Sequence, residues 1–281
     1  MKQNKIIQWT IITTLMLVLL SCKKYLDMDI IDKGRKPVIN ALFIADSVPQ
    51  ISVYQSKHIL YASQSPVITN AEVTLTTNLQ STATLSYSTL TQQYTNQGIQ
   101  LHEGDQLKLN VNTSIGNAKA EITIPSKIAI LSLDTFPHFD NSGNRQGIEI
   151  KLSFKDPSAS KDYYILYTQT GSYISSTGYE GNDPAIEEMN NRLFINDLTF
   201  NGKQKNISLI FYNNYDENSS NVLQIYLMHV DEHYYKYAYS AYKQQSIGNS
   251  PFSEPVIVYN NIKNGYGILG SAAISVKHIN F

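Results

Sequence analysis

The stretch Gly147-Ile-Glu-Ile-Lys-Leu-Ser-Phe154 carries the pattern that decides the fold class. Its apolar residues recur at every second position: Ile148, Ile150, Leu152 and Phe154. Successive side chains of an extended strand point to opposite faces, so these four share one face and the polar residues between them share the other. Such alternation predicts a β-strand with one buried and one exposed face.

Similar runs, rich in valine, isoleucine, leucine and threonine, lie on both sides of this stretch. They predict strands at residues 38–44, 51–54, 71–76, 83–87, 106–111, 120–124, 128–133, 163–168, 207–212, 222–228, 256–259 and 268–276. Glycine, asparagine and proline separate the runs, and Asn264-Gly265 is typical of a hairpin turn. Because no amphipathic helix lies between successive strands, the pattern favours β-sandwiches over βαβ units.

A single helix is predicted near the C-terminal end, over residues 231–246. Asp231 is a good N-cap, and Glu232 places a negative charge in the first turn, where the helix dipole favours it. Four residues then fall on one helical stripe: Tyr235, Ala238, Tyr239 and Tyr242.

The predicted fold is mainly β, with two β-sandwich-type domains, the second carrying this tyrosine-rich helix. Pro125 closes the first set of strands, which predicts an immunoglobulin-like or carboxypeptidase-regulatory-like sandwich at 37–126 and a β-rich domain at 127–281. The polar stretch from Gly171 to Arg192 predicts an irregular loop with a helical turn at 185–191. Loops of this length in compact domains are usually functional or disordered.

The N-terminal residues predict export. Lys2 and Lys5 precede an apolar run over 6–20, which is short for a bilayer span of about 20 residues and is typical of a signal peptide. The run ends in Leu19-Leu20-Ser21-Cys22, which resembles a bacterial lipobox. We therefore expect removal of residues 1–21, lipidation of Cys22 and a tether over 22–36. The alternative is an uncleaved membrane helix with an incidental cysteine.

The composition of the predicted mature protein limits the kinds of fold and partner that it can have. Cys22 is the only cysteine, so the body can form no intramolecular disulfide. Removing residues 1–21 takes away two lysines and no acidic residue, and the net charge moves from −1 to about −3. No basic patch indicates a nucleic-acid partner. The single tryptophan, Trp9, lies in the predicted signal peptide, whereas the chain has 20 tyrosines.

Four blocks together resemble the DUF4249 family of Bacteroidota lipoproteins. They are Pro37-Val-Ile-Asn-Ala-Leu-Phe43, Glu232-His-Tyr-Tyr-Lys-Tyr237, Asn249-Ser-Pro-Phe-Ser-Glu-Pro-Val256 and Asn260-Asn-Ile-Lys-Asn-Gly-Tyr-Gly-Ile268. The resemblance implies an accessory role at the outer membrane beside a TonB-dependent transporter, and it supplies no catalytic residues. The prolines and glycines of the last two blocks have an alternative interpretation as turn residues.

The string His229-Val-Asp-Glu-His233 matches the H-x-x-E-H signature of a zinc site. That chemistry requires both histidines on one helix, whereas His229 ends a predicted strand and the helix begins after it. We therefore expect the imidazoles to diverge, and we predict no metal and no cofactor. Residues 216–221 offer oxygen ligands for calcium without the spacing of a calcium loop, and we predict a solvated hairpin there. Four further histidines are predicted surface or turn residues: His58, His102, His138 and His278.

The tyrosines of the predicted helix are the candidate binding residues. Tyr234, Tyr235, Tyr237 and Tyr242 are predicted to contact a ligand or partner, because tyrosine combines an apolar ring with a polar tip. The alternative is that half of the helix tyrosines face the core and the rest lie on the surface. The predicted mature protein has no tryptophan, which weighs against a glycan-stacking role, although tyrosine also stacks.

The function that the sequence predicts is non-enzymatic. We find no phosphate loop, no G-x-S-x-G elbow and no cysteine nucleophile, and we predict no catalytic residue. We expect a lipid-anchored binding or accessory protein of the outer membrane, held by Cys22, which serves nutrient uptake with a TonB-dependent transporter and faces the cell surface. The alternatives are a structural or adhesion module and, third, a hydrolase with its site in the stretch from Gly171 to Arg192.

Overall fold

The alternating runs form strands in the computed structural model, which describes residues 34–58, 64–78, 80–212, 222–247, 254 and 256–280. The predicted signal peptide, Cys22 and most of the tether lie outside these residues. The described strands are β1 (Pro37–Ile44), β2 (Gln50–Gln55), β3 (Glu72–Thr77), β4 (Ser81–Ser88), β5 (Gln93–Thr95), β6 (Gln106–Thr113), β7 (Gly116–Thr123), β8 (Ile130–Phe139), β9 (Arg145–Lys155), β10 (Tyr163–Thr170), β11 (Tyr173–Ile174), β12 (Thr177–Tyr179), β13 (Ile186–Met189), β14 (Arg192–Asn196), β15 (Gln204–Tyr212), β16 (Val222–Val230) and β17 (Tyr266–Asn280). One helix, α1 (Glu232–Ile247), and a 3₁₀ turn at Asp197–Thr199 complete the described elements.

These strands build two sheets. The larger has thirteen strands in the order β13-β14-β10-β16-β17-β1-β2-β5-β4-β3-β6-β7, with β11 paired to β10. The smaller has four strands in the order β12-β15-β9-β8. The predicted mainly-β class, with one helix near the C-terminal end, is confirmed.

The core lies on both faces of the segment β10-β14-β16. On one face, Ile148, Ile150, Leu152 and Phe154 of β9 form a single buried cluster with side chains of that segment. On the other face, α1 packs against a second cluster, which includes Tyr163 of β10. The apolar side chains of β9 therefore point into the core, as the sequence predicts. In this part of the molecule the four-stranded sheet, the large sheet and α1 form three successive layers. A separate cluster joins β1–β7 with β17.

The first and last strands are neighbours in the large sheet. β1 pairs in parallel with β17, with Ile39 opposite Gly267. A Cβ on Gly267 would lie 2.0 Å from the Ile39 carbonyl oxygen, and the residue has φ +104°, so glycine is required at this close approach. β17 also pairs with β16, so it joins the N-terminal strands to the rest of the sheet.

The helix begins at Glu232 and ends at Ile247, within one residue of the prediction at both ends. Asp231 caps it, because its Oδ1 accepts from the backbone N–H groups of His233 (2.8 Å) and Tyr234 (3.0 Å). The Asp231 Oδ2 accepts from the backbone N–H of Ser271 on β17. Within the described ranges, no helix combines the length and the apolar composition that a bilayer crossing requires.

The segment between β7 and β8, on which the predicted boundary between residues 37–126 and 127–281 falls, is held by three side chains. The Ser271 hydroxyl donates to the Thr123 carbonyl (2.9 Å) and the Ser275 hydroxyl to the Ile128 carbonyl (2.6 Å). Between them, His229 Nδ1 lies 2.7 Å from the Ser126 carbonyl oxygen. The division into two domains itself stays a prediction.

Two predictions for the segment between α1 and β17 are wrong. Residues 256–259 form no strand: Ile257 is 91% exposed, and the Tyr259 N–H donates to the Ser240 hydroxyl of α1 (2.9 Å). Asn264 has φ +62°, so it does turn the chain, but it leads into β17 without forming a hairpin.

The stretch from Gly171 to Arg192 is not an irregular loop, since it contains β11, β12 and β13. In place of the predicted helical turn at 185–191, β13 pairs with β14. Asn190 and Asn191 both have φ above 50°, as a tight hairpin turn requires.

Candidate functional site

An open groove of about 640 Å³ runs along α1. Its lining residues recur at spacings of three and four, so they form one stripe of the helix: Tyr234, Tyr237, Ala238, Ala241, Tyr242, Gln244 and Gln245. Ala238 and Ala241 are small, which leaves room between the tyrosine rings. Three of the four tyrosines predicted to bind a ligand or partner therefore lie together in one concave surface.

Tyr234 positions the groove against the large sheet. Its ring lies over Gly270 of β17, where an added Cβ would come within 2.6 Å of the Tyr234 Cβ. Gly270 therefore allows a close approach between α1 and β17. Burial raises the pKa of the Tyr234 phenol to about 12, so this hydroxyl keeps its proton at neutral pH.

Tyr235 does not line the groove. Its ring lies 4.8 Å from that of Tyr163 and 5.6 Å from that of Phe194, measured between ring centroids. Tyr239 and Tyr242 also contact Phe194, at 5.7 and 5.9 Å. One helix face is thus an aromatic core around Phe194, and Tyr242 belongs both to this core and to the groove.

Arg192 supports Tyr242 from the sheet. Its guanidinium carbon lies 4.7 Å from the centroid of the Tyr242 ring and 5.8 Å from that of Tyr167, distances typical of cation–π contacts. Tyr167 in turn stacks on Tyr226 at 4.8 Å with an interplanar angle of 3°. These contacts fix the Tyr242 ring as one wall of the groove.

The seven described lining residues present phenol, carboxamide and methyl groups. Phenol and carboxamide groups both donate and accept hydrogen bonds, and ring faces contact apolar surface. Nucleophilic catalysis needs a nucleophile with an adjacent base, and this lining supplies no such pair.

A second group of polar residues surrounds His229, at the end of β16. His229 Nδ1 faces the Ser126 carbonyl oxygen at 2.7 Å, and Nε2 faces Asp162 Oδ1 at 2.9 Å. The ring of Tyr164 stacks on the imidazole at 5.0 Å. Since a carbonyl only accepts, Nδ1 carries a proton and donates it to Ser126.

Three buried carboxyl groups complete this cluster. Oxygens of Asp156, Asp162 and Asp197 lie within 4.8 Å of one another. Asp156 Oδ1 accepts from the Tyr164 hydroxyl (2.5 Å), and Asp197 Oδ2 accepts from the backbone N–H of Asp162 (3.1 Å). Burial raises the pKa of Asp156 and of the Tyr164 phenol.

Oxygens of this kind are the ligands that calcium prefers. Here, however, all three carboxylates already accept hydrogen bonds from the protein, since the Ser160 hydroxyl donates to Asp162 and the Gly202 N–H to Asp156. We therefore interpret the cluster as a structural one that joins β9, β10, β16 and the 3₁₀ turn.

The two histidines of the H-x-x-E-H string diverge, as predicted. His229 lies in β16 and bonds to Asp162, whereas His233 lies in α1 and its Nδ1 is 2.7 Å from the Tyr259 hydroxyl. The His233 and Tyr259 rings stack at 5.9 Å. The string does not form a shared metal site.

The remaining predicted residues lie apart from the groove. His102 Nδ1 is 3.8 Å from an Asp105 oxygen, and the His138 ring meets Tyr212 edge-on at 6.1 Å. His278 is exposed on β17. Cys22 and residues 216–221 lie outside the described residues, and His58 follows β2.

Sequence reasoning missed the rest of the groove and the acidic cluster. The helical spacing set by Tyr234 and Tyr237 also includes Gln244, Gln245 and the two alanines, so these residues could have been predicted from the sequence. By contrast, Asp162 and Asp197 are far apart in sequence, and only the turn at Asp156-Pro-Ser carried a local signal.

Comparison with protein-family models gives a match over nearly the whole chain. The model of a family described as "Domain of unknown function (DUF4249)" matches residues 23–278, a range that contains both the groove and the His229 cluster. No curated protein matches the chain.

Proposed function

Since the chain belongs to the DUF4249 family, whose function is unknown, we propose that it is a non-enzymatic, lipid-anchored binding protein of a Bacteroidota-type outer membrane. It holds a ligand in the groove of α1 and serves nutrient uptake together with a TonB-dependent transporter. It faces the cell surface.

The groove is the observation that carries this proposal. Concave surfaces of about 300–1,000 Å³ with aromatic walls and a few polar groups are typical ligand sites, and the groove of about 640 Å³ falls in that range. Its walls are fixed by Gly270 below Tyr234 and by Arg192 beside Tyr242. A preformed site binds without first ordering its side chains.

The anchor is carried by Cys22 and the short tether behind it. The residues between Cys22 and Pro37, if fully extended, reach about 50 Å. The body can therefore stand well clear of the lipid and still contact a neighbouring membrane protein.

A Cys22→Ala variant tests the anchor. We expect the unchanged protein in the outer-membrane fraction and labelled by a palmitate analogue, and the variant unlabelled and released from that fraction. Protease added to intact cells should digest the unchanged body. Protection of the body without lysis contradicts surface display, and labelling of the variant contradicts lipidation at Cys22.

Purification from native membranes tests the partner. A tagged full-length chain should co-purify with a TonB-dependent transporter after mild cross-linking, and cells lacking the protein should take up the transported nutrient more slowly. Recovery of no transporter, with normal uptake in the deletion strain, contradicts the accessory role.

A second candidate, a structural or adhesion module, is favoured by the surface of β8. This edge strand of the four-stranded sheet exposes Leu131 (59%), Phe136 (46%) and Phe139 (54%). Exposed apolar side chains on an unpaired edge are typical of protein contacts. In that case, deletion of the gene changes surface attachment and leaves nutrient uptake unchanged.

A further inference from the structure

We propose that the groove along α1 binds a neutral, polyhydroxylated ligand, an oligosaccharide of about two or three sugar rings by the volume of the groove. This inference rests on the proposed binding function and names the chemical class of its ligand. It is carried by the charge, the hydrogen-bonding groups and the ring faces of the lining residues.

The described lining residues carry no charge at neutral pH. None of its seven residues is acidic or basic, and burial raises the pKa of the Tyr234 and Tyr237 phenols, which keeps them protonated. The guanidinium of Arg192 is occupied against Tyr242 and donates to the Asn190 carbonyl (3.1 Å). An ionic ligand would therefore find no opposite charge among the lining residues, and removing an unpaired charge from water is costly.

A second cavity shows the contrast. It measures about 440 Å³, lies between β6, β7 and the start of α1, and is lined by Lys108, Glu121, Glu232 and other residues. The protein thus has charged concave surface elsewhere, and the neutral lining is a property of the groove itself.

The polar groups of the groove match hydroxyl groups. Tyrosine hydroxyls and glutamine carboxamides both donate and accept hydrogen bonds, as sugar hydroxyls do, whereas a carboxylate only accepts and an ammonium only donates. Gln244 and Gln245 are exposed, and no described residue donates to or accepts from their side chains. Their carboxamides are available to a ligand.

The aromatic walls match the apolar face of a sugar ring. Tyr234, Tyr237 and Tyr242 are half-buried, so each keeps part of its ring accessible. Aromatic rings bury large apolar area and fix the orientation of what they contact. The predicted mature protein has no tryptophan to stack on a sugar, and the groove offsets this by gathering three tyrosines on one stripe.

Isothermal titration calorimetry on the full-length lipidated chain tests the ligand class. The protein is held in a detergent without a sugar head group and titrated with maltotriose, cellotriose, mannotriose and xylotriose, and with trigalacturonate as an anionic probe of similar size. We expect at least one neutral trisaccharide to bind and trigalacturonate to bind at least about tenfold more weakly.

Three variants locate the site. Tyr237→Ala should weaken the binding of the neutral trisaccharide about tenfold, since it removes one aromatic wall. Tyr237→Phe keeps the ring and should retain most of the affinity, so it separates the contribution of the ring from that of the hydroxyl. Tyr173→Ala, at an 82% exposed position on β11, is the matched control and should bind like the unchanged protein.

The opposite results overturn the inference in distinguishable ways. Binding of trigalacturonate alone shows that the ligand class is wrong while the binding function survives. Binding of a neutral trisaccharide that Tyr237→Ala leaves unchanged places the sugar outside the groove. Binding of no probe rejects the neutral oligosaccharide, whereas the accessory role fails only if the transporter is also not recovered.

Discussion

At the scale of single residues, His229 and Asp231 hold the junction of three elements. His229 reaches the Ser126 carbonyl and Asp162, and Asp231 joins the first turn of α1 to Ser271. Both side chains are largely buried, so neither can be replaced by water without cost. The two residues before α1 therefore fix where the helix begins and how it meets the sheet.

Replacing His229 with alanine should lower the free energy of unfolding by about 3 kcal/mol, because it takes a hydrogen-bond partner from the buried Asp162 and from the Ser126 carbonyl and leaves a cavity under the Tyr164 ring. Urea denaturation followed by circular dichroism measures this change. His278→Ala, on an exposed position of β17, is the control and should change stability by less than about 0.5 kcal/mol. Equal stability of the two variants contradicts a structural role of the His229 cluster.

Replacing Asp231 with alanine should cost about 2 kcal/mol or more, since it removes both the helix cap and the acceptor for the Ser271 N–H. Asp231→Asn keeps one oxygen as the cap but turns an amide N–H toward Ser271, so it should recover only part of the loss. Thermal unfolding of the unchanged protein and of both variants shows whether the asparagine variant lies between the other two in stability. Full recovery by asparagine shows that the contact to Ser271 adds no stability.

The sequence predicted one of these two roles. Asp231 stands four residues before the stripe that begins at Tyr235, which is a local signal for a cap. The divergence of His229 and His233 also followed from local structure. The contact between His229 and Asp162 could not be predicted, because it depends on the pairing of β16 with β10, far apart in the chain.

At the scale of elements, α1 uses two faces for two purposes. One face packs Tyr235 and Tyr239 around Phe194, and the other presents the groove. Gly270 sets the distance between the helix and β17. The depth of the groove therefore depends on a residue in the sheet.

A methyl group at Gly270 should push α1 away from β17. Gly270→Ala places a Cβ 2.6 Å from the Tyr234 Cβ, and we expect a loss of about 2 kcal/mol in the free energy of unfolding. Gly178→Ala is the matched control in a strand, because its Cβ would meet the Tyr212 ring at an ordinary 3.5 Å. A Gly270→Ala variant as stable as this control contradicts the close approach.

Sequence alternation predicted most strands, and its failures have physical causes. Residues 256–259 are apolar and β-branched, yet the segment lies along α1, where Tyr259 bonds to His233 and Ser240. The stretch from Gly171 to Arg192 lacks an apolar alternation, and its short strands are held by pairing with β10, β14 and β15. Pairing partners are properties of the fold, which a local pattern does not contain.

At the scale of the whole molecule, the tyrosines of α1 pack against one face of the large sheet. Burial raises the phenol pKa of Tyr234, Tyr235 and Tyr239 to about 12. Burial of each ring disfavours the charged phenolate, so loss of the hydroxyl proton should weaken the packing of that ring. The pairing order of the sheet, by contrast, could not be predicted, because it joins strands from opposite ends of the chain.

These shifts predict unfolding in strong alkali. A pKa raised above the ordinary value of 10.0 contributes stability that is fully present below pH 10 and is lost as the pH rises through about 12. Urea midpoints measured across this range should fall steeply, together with the absorbance rise of phenolate. Tyr234→Phe should lose less stability over the same interval, and an identical fall in this variant contradicts the assignment to Tyr234.

The pairing of β1 with β17 determines when the large sheet can close during synthesis of the chain. Synthesis delivers β1 well before β17, so the central seam of the large sheet stays open until the residues of β17 have been made. Until then, β1 and β16 each present a bare edge, and the contacts between β1 and β17 join residues from opposite ends of the described chain. The fifteen-residue strand β17 therefore converts two half-sheets into one in a late step.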